Sequence, residues 1–111
     1  DRQCLAMVEA DGSGYRKVSG HGSGGHPSVS PTDPHLVATD EGGAPHGRVL
    51  LIDTRSDAVV AECRPPRSRA PEPPGRNPFR VCHHPAWDRD GRRLLINTLP
   101  GDDAVVCEVR L

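Results

Sequence analysis

VCHHPAWDRDGRRLLINT, residues 81–98, reads as a strand, a tight polar turn and a second strand. Val81 to Trp87 is an extended run, Asp88-Arg89-Asp90-Gly91 supplies the turn, and Arg93 to Thr98 returns with apolar Leu94, Leu95 and Ile96. Asp90-Gly91 is a hairpin signal because a tight antiparallel turn needs positive φ, which glycine adopts without steric cost. A second copy, GHPSVSPTDPHLVATD, stands at residues 25–40. His26-Pro27-Ser28-Val29 aligns with His84-Pro85-Ala86-Trp87, and Leu36-Val37-Ala38-Thr39 with Leu94-Leu95-Ile96-Asn97, both at an offset of 58 residues. Two copies at one offset are the mark of a repeat architecture.

Around this pair the rest of the chain falls into strands. QCLAMVEA (3–10) and YRKVSG (15–20) flank an ADGSG turn, and HGSGG (21–25) is a flexible connector. RVLLIDTRSDAVVAEC (48–63) is a further hairpin that turns at Thr54-Arg55-Ser56-Asp57, and AVVCEVRL (104–111) is a last strand. No segment carries a 3.6-residue apolar stripe, so the chain is all-β, with nine strands in the order two, four, three. The turns at 10–14 and 54–57 lie about 43 residues apart, which is the size of one β-propeller blade. The proline-rich stretch 64–79, with six prolines and no apolar period, accounts for the longer 58-residue offset.

The expectation is a partial β-propeller of about two and a quarter four-stranded antiparallel blades. Residues 1–20 form the outer hairpin of one blade, 21–63 a complete blade, 64–79 an insertion, and 80–111 three strands of the last blade. The competing architecture is a self-contained β-sandwich of about nine strands. The chain opens on Asp1 and is at once strand-like, so it is expected to be a piece of a longer protein whose remaining blades lie elsewhere.

Composition narrows the partners. Of 111 residues, 34% are apolar and 3% aromatic, and the net charge is −1 with both signs interspersed. Without a basic field or aromatics for base stacking, nucleic acid is not an expected partner. No run approaches a membrane span and no stretch has a signal-peptide pattern, so a membrane is not an expected partner either. Cys4, Cys63, Cys82 and Cys107 lack CxxC spacing and sit in or beside strands, where free cysteine acts as a small buried hydrophobe.

In a blade, the first strand lines the central channel and starts at the rim where the second strand ends. His26, Asp40, His84 and Asn97-Thr98 are therefore expected at one rim, with Val29 and Trp87 in equivalent packing positions. Two imidazoles and a carboxylate there suit a divalent metal, and hydrogen-bonded packing is the other role open to both histidines. Cys82 is a replacement ligand for a softer ion in the same reading. His83 alternates away from His84 and is expected to be partly exposed.

CLAMVEADGSGYRKVSG and HPAWDRDGRRLLINT resemble the outer and inner hairpins of a TolB-like propeller repeat. A narrower resemblance is to the oligogalacturonate lyases, carried by Gly25-His26-Pro27-Ser28, Thr39-Asp40, Leu50-Leu51-Ile52-Asp53, His84-Pro85-Ala86-Trp87 and Asp90-Gly91. The resemblance implies β-elimination of pectin-derived acidic oligosaccharides, with a divalent metal, typically manganese, held by histidines and a glutamine. It places His26 and His84 among the metal ligands. Asp40 and Arg80 are the expected substrate contacts, since a guanidinium grips a uronate carboxylate bidentately. The chain departs from the pattern at Phe79, where glutamine is expected, and at Cys82, where histidine is. Those departures favour the alternative reading, a non-catalytic propeller scaffold for protein interaction or ligand sensing. A third reading is a propeller associated with a hydrolase or peptidase.

Overall fold

A computed structural model describes residues 4–22, 25–41, 47–66, 82–100 and 103–111. Among them the chain is all-β and antiparallel, with no helix, and so with none long and apolar enough to cross a membrane. The first sheet pairs β1 (Leu5–Met7) with β2 (Arg16–Ser19). The second runs β3 (Ser28–Val29), β4 (Leu36–Glu41), β5 (Arg48–Asp53) and β6 (Ala58–Cys63) in sequence order. The third runs β7 (Ala86–Trp87), β8 (Arg93–Thr98) and β9 (Val105–Arg110). The strand grouping of two, four and three follows the sequence reading; among the described residues no sheet closes on itself.

The three sheets stack through two apolar layers. Leu5 and Val18 of the first sheet meet Val37, Leu50 and Ile52 of the second. Ala38, Val49 and Leu51 on the opposite face meet Leu94 and Ile96 of the third. Alternation within Val49-Leu50-Leu51-Ile52 sends successive side chains to opposite layers, which is why β5 is continuously apolar. Leu50 and Ile52 are wholly buried, a burial that stabilises by about 1.5–3 kcal/mol for each side chain. A middle sheet covered on both faces differs from the two-layer sandwich.

The first strands of the two repeated hairpins, β3 and β7, are shorter than the sequence pattern implies. Pro27 and Pro85 have no N–H to donate, and the ladders begin just after them, at Ser28 and Ala86. Val29, expected to pack like Trp87, is 48% exposed. Trp87 packs between the second and third sheets, whereas the first sheet has two strands among the described residues and none to cover Val29.

The constant 58-residue offset is also corrected. Ser28 pairs with Ala38 and Val29 with Val37, but Ala86 pairs with Leu95 and Trp87 with Leu94. The first strands of the hairpins are thus related by 58 residues and the second strands by 57. The turn after Trp87 is one residue shorter than the turn after Val29. Face matching agrees: Val37 and Leu94 both point to the preceding sheet, while Ala38 points to the following one and Leu95 lies exposed on the outer face.

Two glycines are fixed by close approach. Gly25, read as part of a flexible connector, lies so near the backbone of Asp40 that a Cβ would collide with the Asp40 carbonyl oxygen. Gly91 adopts φ 67° in the expected turn, and a Cβ there would strike Thr32, so the turns of the two inner hairpins touch. The proline-rich expectation beyond Pro66 lies outside the described residues.

Candidate functional site

The ends of β4 and the segments that lead into β3 and β7 converge where the second and third sheets meet. Trp87 fixes that meeting, since its Nε1–H donates to the Ser28 carbonyl at 2.9 Å across the two sheets. Asp40, at the end of β4, is 6% exposed and spends both oxygens on the same junction. It accepts the His26 backbone N–H at 2.7 Å and the His84 backbone N–H at 3.1 Å. The His26 ring Nδ1 lies 2.9 Å from Oδ1 and 3.1 Å from Oδ2. A carboxylate acceptor there fixes the tautomer with Nδ1 protonated and leaves Nε2 as the free lone pair.

Burial pushes the Asp40 carboxyl up, but the His26 and His84 N–H donors and the His26 ring outweigh it and hold the pKa below its ordinary value. Asp40 is therefore an anion that joins two hairpins. Asp40 was expected to contact substrate; both of its oxygens accept hydrogen bonds from the two histidine-bearing segments inside the junction.

The His26 and His84 rings stack, with centroids 3.6 Å apart and planes inclined by 27°. His84 reaches this place through a left-handed backbone, φ 44°, which is uncommon for a side-chain-bearing residue and more so before a proline. Both rings are exposed where the second and third sheets meet, and Cys82 beside them is half-buried. One donor atom from each of His26, Cys82 and His84 lies within 4.8 Å of the others. Sequence reasoning brought the two histidines together and weighed Cys82 as a ligand, but it missed Asp40 as the clamp. Its only signal was an acidic residue that ends a buried apolar strand.

His83 was expected to be partly exposed and is 2% exposed. Its Nδ1 lies 2.7 Å from the Asn97 carbonyl oxygen, and the Asn97 N–H donates back to the His83 carbonyl at 2.8 Å. Nε2 has no hydrogen-bond partner among the described residues. His83 stands 14 residues before Asn97, as His26 stands 14 before Asp40. By hydrogen bonding His83 is thus the counterpart of His26, and His84 is the additional residue, accommodated by its left-handed turn.

The other candidates lie elsewhere. Thr98 Oγ1 donates to the Pro66 carbonyl, and Arg93, next to the Asp88–Gly91 turn, pairs with Asp88 and Glu108. His21 and His35 are exposed, as expected of loop histidines. Arg80, the expected uronate contact, and Phe79 lie outside the described residues.

Comparisons with known protein families, with curated proteins and with solved structures returned no match. The chemistry of the junction is therefore argued from its own atoms. An exposed pair of imidazoles, one with its tautomer fixed, sits beside a thiol and above a buried carboxylate. Such a group can hold a cation through lone pairs, donate hydrogen bonds to an anion, or pass a proton at the free nitrogen.

Proposed function

We propose that this chain is part of a β-propeller related to the oligogalacturonate lyases, and that the protein binds an acidic oligosaccharide at the rim where His26 and His84 meet. The observation that carries the reading is the stacking of these two side chains at the junction of neighbouring sheets. Each comes from the start of an inner hairpin, and an exposed histidine pair at a rim suits an anionic sugar. The reaction in this reading is β-elimination. The proton on the carbon next to the uronate carboxylate is removed, the glycosidic oxygen departs, and a carbon–carbon double bond remains.

The manganese implied by the resemblance does not fit the donors present. Manganese takes carboxylate, carbonyl and water oxygens, whereas here the buried carboxylate is spent on N–H groups and the third donor beside the imidazoles is a thiol. No step is routed through that ion.

The test is ultraviolet absorbance from unsaturated uronate products when the protein meets oligogalacturonides, alongside calorimetric titration with acidic and neutral oligosaccharides. Binding of the acidic sugar alone, lost in a His26→Ala, His84→Ala double variant, supports the site. Binding without an absorbance rise favours the sensing scaffold, the reading to which Cys82 in place of histidine already points. No binding of either sugar would overturn the proposal.

A further inference from the structure

The cysteine at the junction has a consequence of its own. We infer that His26, Cys82 and His84 form a site for a thiophilic divalent ion of the zinc type, with Asp40 as the residue that orients it. The inference stands on this cluster and not on the sugar-binding reading.

Three observations support it. Donor atoms of the three side chains lie within 4.8 Å of one another. A tetrahedral zinc ion with bonds of about 2.0–2.3 Å holds its donors roughly 3.3–3.8 Å apart, so the side chains close by about an ångström on binding. The two imidazoles are exposed where the sheets meet, and ion binding unstacks them so that both in-plane lone pairs face the metal.

Asp40 supplies the supporting shell. A ligating histidine normally donates its second ring N–H to a carboxylate, which sets the tautomer and sharpens the lone pair of the other nitrogen. His26 has that partner at 2.9 Å. The same carboxylate accepts the His84 N–H, so one buried anion positions both histidine-bearing segments.

The third observation is the strained backbone of His84. Its left-handed φ of 44° brings its side chain onto His26 while His83 turns into the core. Strain of this kind persists where the surroundings impose it, and it gathers at functional sites. Two imidazoles and a thiolate are a soft donor set that selects zinc over manganese, and three protein ligands leave a fourth position for water or a ligand oxygen.

Cobalt(II) is the probe, because bound to a thiolate it gives a sulfur-to-metal charge-transfer band and intense tetrahedral d–d bands. The protein is expected to bind one equivalent of cobalt with both features, and zinc should displace it while manganese should not. Cys82→Ser should abolish the charge-transfer band, and a Cys4→Ser, Cys63→Ser, Cys107→Ser triple variant should retain it. Asp40→Asn should weaken zinc binding about 10–100-fold. As a check that needs no variant, zinc should protect Cys82 of the wild-type chain from alkylation, read by mass spectrometry.

A charge-transfer band unchanged in Cys82→Ser, no band at all, or displacement of cobalt by manganese as readily as by zinc would overturn the inference. So would alkylation of Cys82 indifferent to zinc. None of these readouts involves a sugar, so failure here is separate from failure of the proposed function.

Discussion

The two inner hairpins begin from nearly the same sequence and end in different roles. In the first, His26 is exposed and its ring is held by the Asp40 side chain. In the second, the residue in the corresponding hydrogen-bonded position is His83, buried and tied to the Asn97 backbone. The extra residue, His84, is thrown forward by a left-handed turn onto His26. A displacement of one residue moves a side chain to the opposite face of a strand, so it converts two copies of one motif into complementary halves of a junction.

The comparison breaks most visibly at Asp40. Asp40→Ala removes an anion that accepts from both hairpins and leaves two part-buried N–H groups without that partner, a loss expected to cost about 3 kcal/mol in denaturant unfolding. A change below about 1 kcal/mol would mean that the carboxylate does not join the hairpins. Gly25→Ala tests the same contact from the other side. Its Cβ collides with the backbone of Asp40, and a loss of about 2 kcal/mol is expected, against near neutrality if the approach is loose.

Much of this comparison was legible in the sequence, and the part that was not has a physical reason. Strand grouping, the Asp90-Gly91 turn and the pairing of His26 with His84 follow from alternation, turn chemistry and repetition, all of which are local. The burial of His83 was missed because alternation presumes a regular strand, and the neighbouring His84 is not in one. The register difference was hidden because Leu36-Val37-Ala38 and Leu94-Leu95-Ile96 are apolar throughout, so they match by letter at 58 residues although the strands correspond at 57. The role of Asp40 depends on the third sheet lying against the second, a contact that no local pattern encodes.

Smaller effects sharpen the comparison. Trp87→Phe keeps the packing between sheets and deletes the hydrogen bond to Ser28, so about 1 kcal/mol should be lost; an unchanged stability would show that the indole N–H is hydrated instead. His84→Gly removes left-handed strain at the cost of a more flexible unfolded chain, and a net gain of about 0.5 kcal/mol is expected. Destabilisation there would mean that the ring's contact with His26 outweighs the strain.

The smallest effect lies at the β5–β6 turn, where Arg55 also reaches Asp33 in the turn of the first hairpin. Hydrogen bonds from the Arg55 side chain, with help from its backbone N–H, lower the Asp53 pKa to about 2. A folded-state value below the unfolded one means a contribution present above about pH 3.8 and lost as pH falls through about 2. Nuclear magnetic resonance titration of Asp53 should therefore show a low midpoint that rises toward the ordinary carboxylate range in Arg55→Gln. An unchanged midpoint would assign the shift elsewhere.

The central claim is that the β3–β4 and β7–β8 hairpins of two neighbouring sheets bring His26 and His84 into contact. Nuclear Overhauser spectroscopy of the histidine rings tests it most directly. With centroids 3.6 Å apart, strong cross-peaks between the ring protons of His26 and His84 are predicted, together with one from the Trp87 indole N–H to Ser28. Well-resolved ring signals from both histidines with no cross-peak between them would contradict it.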